Sequence, residues 1–413
     1  MAKVRFNNVE LTKSVGTRSL ILPSPWLQAT EQKLLSSDIE AEDRFGSAVS
    51  ISADGNTAIV GANQESTDAN AVGAAYIFTR SGDVWTEQQK IQASDKEAQD
   101  FFGWSVCISS DGNIVAVGAI QEGSSGSVYI FTRSGGVWTE QQKITPTTTS
   151  GARVGESVDI STDGSTLILG CRGGDQVFIY TYNGSSWVEE GIVTPDIPTN
   201  RFGLSVSLTS DGNIAVVGAP WDSSVSSQEG SVWIYQRIGT SWGNKIQKLT
   251  APDAATSDQF GNSVNISDDG NTIFVGAYGD DTTATDAGSV YVYNRDLQNP
   301  TTWNFSQKIE LDTATSFTWL GYTVSSSNDA SKILITGYHQ ITADPIRTGA
   351  AYVYELVNGQ YTNPVQLLAS DREESDYFGW SSGISGDGNT VIVGAIFEDT
   401  GGNNAGATYV YMV

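Results

Sequence analysis

Residues 379–383 read Gly-Trp-Ser-Ser-Gly, the spacing that holds a nucleophilic serine on a strand-to-helix turn in many hydrolases. That chemistry needs a histidine base, and the chain's only histidine is His339. One histidine with two cysteines, Cys107 and Cys171, also falls short of a His- or Cys-built metal centre. Both cysteines sit in apolar, strand-like runs, where a small buried hydrophobe is the expected role. Carboxylates are the abundant reactive groups: 47 acidic residues stand against 22 basic ones, a net charge of −25. Two of them facing one cavity could hydrolyse a glycosidic bond. The same charge argues against nucleic acid or an anionic membrane as partner and suits cationic partners, divalent metals included.

The serine motif weakens once its copies are seen. YFGWSSGISGDGNTVIVGA (377–395) repeats FFGWSVCISSDGNIVAVGA (101–119), RFGLSVSLTSDGNIAVVGA (201–219) and QFGNSVNISDDGNTIFVGA (259–277), and the first copy is DRFGSAVSISADGNTAIVGA (43–62). Phe-Gly pairs fall at 45–46, 102–103, 202–203, 260–261 and 378–379, with weaker copies at Val154-Gly155 and Leu320-Gly321. A period of this size marks propellers and solenoids. Each unit reads as four strands, as in AVSIS (48–52), TAIVGA (57–62), AAYIFTR (74–80) and VWTEQQKI (84–91). Alternation, β-branched and aromatic residues and Asp-Gly turns all favour strands over helix.

The expected fold is therefore all-β: a seven-bladed propeller of four-stranded antiparallel blades, starting near residues 44, 101, 153, 201, 259, 319 and 377. The last unit stops at ATYVYMV (407–413), without a fourth strand, while WLQATEQKLLSSD (26–38) resembles VWTEQQKIQASD (84–95). Residues 26–38 are thus expected to complete the last blade and close the ring, which removes an open sheet edge. Residues 26–413 form the propeller, and residues 1–25 precede it as a basic arm with Lys3, Arg5, Lys13 and Arg18 against Glu10. Within the arm, alternation about Asn7-Asn8 favours two short strands.

Phe-Gly, a hairpin, then Gly-Ala, with the fuller Gly218-Ala219-Pro220, resembles the FG-GAP repeat of integrin α-subunit heads and many microbial propellers. The tail GAAYIFTRSGDVWTEQQKI (73–91) is similar to the microbial branch. The resemblance implies a propeller for recognition and adhesion with no common catalytic activity. Integrin-type repeats often carry a calcium loop between the first two strands. Here it shrinks to Ala53-Asp54-Gly55-Asn56, with too few oxygen ligands for a dedicated site. No cofactor is expected, and Ca2+ stays open only at the acidic face. The third and sixth units depart from the pattern, with Gly170-Cys171 and Gly337-Tyr338 read in place of Gly-Ala and no turn glycine in Ser327–Ala330.

Propeller geometry gathers the variable loops and the blade linkers on one face, the usual place for binding. The candidate acids there are Asp43, Asp68, Asp100, Asp280, Asp281, Asp376, Glu398 and Asp399. They read either as a solvated rim or as a docking patch for a basic or cation-bridged partner. Trp104, Trp319 and Trp380 beside the Phe-Gly places, and Trp221, Tyr278, Tyr338 and Phe397 after the Gly-Ala places, are the candidate aromatics, either stacking on a sugar or anchoring a protein, or packing between blades. Trp85, Trp138, Trp187, Trp242 and Trp303 recur at one repeat position and read as structural.

The expected function is non-enzymatic recognition, adhesion or scaffolding, with a protein or glycan partner. No nucleic acid partner and no membrane insertion are expected. No apolar run approaches the ~20 residues of a membrane span, and residues 1–25 lack the apolar core of a signal peptide. A virus particle component anchored through residues 1–25 fits these features, as does a leaderless extracellular protein; a cytoplasmic scaffold is the competing reading. A sugar-binding lectin is a further alternative. A glycosidase-type propeller, with Asp159 as the main acid of the first strands, is the least favoured.

Overall fold

A computed structural model describes residues 24–67, 70–199, 201–224, 226–312, 314–339 and 348–413, and the backbone of 3–6 and 9–12. Seven four-stranded antiparallel sheets form blades around one axis. Six are continuous: 45–91, 102–144, 154–193, 205–249, 263–309 and 323–367. The seventh joins Phe378–Ile384, Thr390–Ala395 and Ala407–Met412 to Thr30–Leu34. That last pairing is antiparallel, from Thr30 opposite Met412 to Leu34 opposite Thr408. Separately, Lys3–Phe6 pairs with Val9–Thr12 as a two-stranded ribbon. Apart from the 3-10 turn Pro25–Gln28, no helix occurs among the described residues.

The second strands (TAIVGA and its copies) are buried along nearly their whole length. They lie between neighbouring blades, so both faces must be apolar and alternation gives way to a continuous run. Each Phe of Phe-Gly is fully buried and meets its blade's third strand edge to face, as Phe45 does on Tyr76 at 5.5 Å and Phe378 on Tyr409 at 5.5 Å. Val154 and Leu320 fill this place in blades three and six.

The two glycine signatures have one cause. The first glycine of Gly-Ala faces the carbonyl of the next blade's Phe-Gly glycine. A Cβ on Gly61, Gly118, Gly170, Gly218, Gly276 or Gly394 would lie 2.0–2.3 Å from that oxygen. A hydroxyl then donates to the same carbonyl, so the blades are stitched in sequence. The donors are Ser47 to Gly103, Ser105 to Gly155, Ser157 to Gly203, Ser205 to Gly261, Ser263 to Gly321, Thr336 to Gly379 and Ser381 to Gly46. The last of these joins the ends of the ring at 2.7 Å.

Strand register corrects the reading of unit six. Gly337 pairs with Ala350 as Ala277 pairs with Ser289, so Thr336-Gly337, and not Gly337-Tyr338, stands at the Gly-Ala place. Thr336 brings its own hydroxyl to the stitch that serine makes elsewhere.

At the outer edge, a strand-four glutamine clips each of several blades to the next. Gln89 both donates to the carbonyl and accepts from the N–H of Trp138, each at 2.9 Å. Gln32 of the N-terminal strand does the same to Trp85. The recurrent tryptophans Trp85, Trp138, Trp187, Trp242 and Trp303 are buried, which places them in the scaffold.

The Asp-Gly turns crowd together at the opposite end of the channel. Ala53 N–H bonds to the Ser110 carbonyl, and Ser210, Asp268 and Asn328 donate in turn to Asp268, Asn328 and Gly386. Asp387 N–H returns to Ala53. Backbone bonds between neighbouring turns thus draw this end of the channel tight.

Candidate functional site

At the variable-loop end the channel opens into a cavity of about 420 Å3. Its wall takes the residue after each Phe-Gly position: Ser47, Trp104, Glu156, Leu204, Asn262, Tyr322 and Trp380. The residue before each position forms a second ring: Arg44, Phe101, Arg153, Arg201, Gln259, Trp319 and Tyr377. All seven have φ between 55° and 61°, a left-handed conformation that costs a non-glycine residue about 1–2 kcal/mol. The backbone holds them there: Phe101, Gln259 and Trp319 donate their N–H groups to the loop carbonyls of Ala71, Gln228 and Asp286. The same angle in all seven blades, whatever the side chain, makes it a fixed feature of the repeat's backbone.

The two rings divide by chemistry. Over blades five to seven the aromatic rings of Tyr278, Trp319, Tyr322, Tyr338, Trp380, Tyr377 and Phe397 touch in succession, with centroids 4.4–6.2 Å apart. His339 is buried and stacks on Trp319 at 4.4 Å. Arginines mark the rest. Arg153 lies over Trp104 at 5.2 Å, Arg201 over Trp221 at 3.2 Å and Arg44 over Phe397 at 5.3 Å. Arg153 and Arg172 both pair with the buried Glu156, at 3.1 and 3.3 Å. Burial, with Arg172 beside it, lowers the pKa of Arg201. Burial raises that of Glu156 despite the three neighbouring arginines.

The predicted tryptophans and acids fare differently. Trp104 and Trp380 line the cavity, and Trp221 supports Arg201 beside it. Asp43, Asp100 and Asp376 are buried, and their carboxylates accept the backbone N–H groups of Glu40, Glu97 and Glu373 inside the blade linkers. Asp258 repeats this with Ala255. Asp280 and Glu398 are also buried and pair with Lys308 and Lys33. Asp281 and Asp399 are exposed and cap their loops by accepting from Asp286 N–H and Asn404 N–H. Asp68 lies outside the described residues.

A patch of free acids is therefore not what these residues build, and the reason repeats from blade to blade. A strand-four lysine reaches a linker carboxylate and a loop carboxylate, while a strand-three tyrosine donates to the former. In blade two Lys143 binds Asp95 and Glu122 at 2.7 and 2.6 Å, and Tyr129 donates to Asp95 at 2.8 Å. The Lys143 hydrogen bond holds Asp95 below the usual carboxylate range, against some burial. In blade seven the lysine is Lys33, from the N-terminal strand.

The linker carboxylates have a measurable consequence. Burial pushes Asp43, Asp258 and Asp376 up to about 6. A carboxyl whose folded pKa is raised binds its proton more tightly when folded. The stability it contributes is complete below its unfolded value, near 4, and is lost as pH rises through about 6. Melting temperature is expected to climb as the protein is taken from about pH 8 to pH 5. Replacing all three aspartates by asparagine is expected to flatten that climb; an unchanged slope would refute the assignment.

The serine motif and the channel acid are accounted for by the scaffold. Ser381 sits within the inner strand Phe378–Ile384 and gives its hydroxyl to the Gly46 carbonyl. The Asp159 carboxylate accepts the N–H groups of Ile160 and, across the blade boundary, Leu208. The turn aspartates are similarly committed: Asp54 accepts from Ser52 and from the backbone and side chain of Asn56. No group of three or more His, Cys, Asp or Glu side chains suited to a metal ion occurs among the described residues. No helix among them is long and apolar enough to cross a membrane.

The FG-GAP repeat profile matches residues 28–78, 85–131, 187–235, 243–293 and 361–411, together more than half of the chain. Each match runs from a fourth strand into the next blade, and the matches pass over the first three strands of blades three and six. No curated protein sequence matches the chain. Among solved structures, the Pseudomonas aeruginosa periplasmic gluconolactonase PpgL is similar at 17% identity and a TM-score of 0.56. That match covers 80% of this chain and 87% of the other. The Myceliophteria thermophila Cps50 (Swd1) β-propeller domain is similar at 11% identity and a TM-score of 0.61, covering 93% of this chain and 100% of the domain. These likenesses concern the fold alone.

Proposed function

The chain belongs to the FG-GAP repeat family, and from that premise we propose that it is a non-catalytic recognition propeller. It takes a protein or glycan partner through the variable-loop face, at the mouth of the central channel. The observation that carries this reading is the varied set of side chains, one from each blade, that follows the Phe-Gly positions around one open cavity. The reactive groups that would suggest an enzyme, Ser381 and Asp159, are spent on joining blades. In this reading the basic residues 1–25 anchor the ring to a larger assembly, a virus particle being the arrangement their composition favours.

A glycan array probed with the full chain, with and without Trp380→Ala and Tyr377→Ala, tests the face. Binding is expected to fall at least about tenfold in each variant, the loss of one stacking anchor, with melting within a few degrees of the parent. Undiminished binding by both variants would move the partner elsewhere. Turnover of lactone, ester or glycoside substrates by the parent would overturn the non-catalytic part.

A further inference from the structure

We infer that the channel mouth binds a sugar unit carrying an anionic group, a carboxylate or a sulfate. This rests on the recognition reading above and names its ligand class. The first support is a local inversion of charge. In a chain of net charge −25, Arg153, Arg172 and Arg201 surround Glu156 of the cavity wall, and Arg44 stands on the wall itself, further round the mouth. Three of these guanidinium groups lie over aromatic rings. Stacking fixes the guanidinium plane and leaves its edge, the fork of N–H donors that matches a carboxylate or sulfate, available.

The second support is the opposite wall, where Trp380 and Tyr322 line the cavity within the continuous aromatic arc. Half-buried aromatic faces accept the apolar face of a sugar ring. Third, two polar atoms at the cavity are buried without a partner: Asn63 Oδ1, on a residue 7% exposed, and Arg44 Nε. Buried polar groups seek partners, and here one is an acceptor and the other a donor.

Only a mixed ligand satisfies all of these. A sugar hydroxyl donates to Asn63 Oδ1, and the anionic group accepts from an arginine of the mouth, Arg44 on the wall at blade one or Arg201 across it at blade four. A bare anion would leave Asn63 Oδ1 unpaired, whereas a neutral sugar would bring no charge to the guanidinium groups of Arg44 and Arg201. A cavity of about 420 Å3 is within the range of small-ligand sites.

The test is titration of the full chain with glucuronic acid, glucose 6-sulfate, glucose and inorganic sulfate, followed by tryptophan fluorescence and calorimetry. Both acidic sugars are expected to bind at least about tenfold more tightly than glucose or sulfate, and less tightly as salt is raised. Arg44→Gln with Arg201→Gln should bring both acidic sugars down to the affinity of glucose in the same variant, while Trp380→Ala weakens every sugar. Arg201→Lys, which keeps the charge, should retain part of the advantage and controls for misfolding. Acidic sugars no tighter than glucose, or sulfate as tight as glucose 6-sulfate, would overturn the inference. If no sugar binds while Trp380→Ala still abolishes partner binding, the inference falls and the recognition reading stands; if neither effect is seen, both fall.

Discussion

Gly394→Val is expected to cost the ring about 3 kcal/mol or more, at the overpacked end of single substitutions. The reason is steric. A Cβ at Gly394 would sit 2.1 Å from the Gly46 carbonyl and 2.4 Å from the Ser381 hydroxyl. The carbonyl belongs to the backbone of another blade, so it cannot swing aside as a flexible side chain would. Valine must therefore push blade seven from blade one, and the Ser381 hydrogen bond to Gly46 is lost with the contact. Gly82→Asn is the control. Gly82 is also left-handed, at φ +63°, but nothing lies within 4 Å of a Cβ there, and asparagine tolerates that conformation at a cost below about 1 kcal/mol. Thermal melting of the two variants measures the contrast. Equal melting would mean that the blade interface yields, and the shared origin assigned to the two glycine signatures would be wrong.

Deleting residues 26–35 is expected to lower the melting of the entire propeller in one cooperative step, or to prevent folding. The deletion uncovers the partners of Trp26 and Leu34, which are 2% and 3% exposed. It frees the edge of Ala407–Met412 and removes the Gln32 clip on Trp85. It also leaves the buried Glu398 without Lys33, and an abandoned buried charge is costly. Burial of the tryptophan and leucine alone contributes about 4 kcal/mol, a large share of the about 5–15 kcal/mol that holds a domain folded. A peptide spanning residues 24–38, added to the deletion protein, should restore part of the loss. Unchanged melting after deletion would refute closure of the ring. Deleting residues 1–23 is expected to leave melting near that of the full chain while abolishing incorporation into the proposed particle; retained incorporation would remove the proposed anchoring role.

The repeat frame was open to reading because each of its marks has a single local cause. Phe-Gly buries a ring beside a tight contact, Asp-Gly turns a hairpin, and Gly-Ala leaves room for a neighbouring carbonyl. Thr336 shows the limit of that reading. Its hydroxyl, on the second strand, does the work of a serine on the adjoining first strand, with threonine at the glycine place and the register unchanged. The acids were harder. Asp95 looks like a surface charge until Lys143 and Tyr129, from other strands, are seen to use both its oxygens. Asp43 looks free until the linker folds back on it.

The ring before Phe-Gly is legible in the sequence at Trp319 alone, and for a different reason. Arg44, Phe101, Arg153, Arg201, Gln259, Trp319 and Tyr377 share no chemistry, only a backbone angle. The signal was present as one freely varying column inside a fixed frame. Its three arginines in an acidic chain were the part most worth noticing.

Strand order also sets a clock. Thr30–Leu34 is the first strand of the ring to leave the ribosome, and its partner, Ala407–Met412, is the last. At the usual ~5–20 residues per second, that strand waits roughly twenty seconds to more than a minute. Through that interval it is a free segment with a fixed pattern, and every other unfinished copy nearby carries the same segment. A strand borrowed from a neighbouring chain would complete blade seven as well as the chain's own, which is the route by which copies become exchanged dimers. Crowding on the ribosome, more than any weakness of the finished ring, is where this architecture is exposed to error.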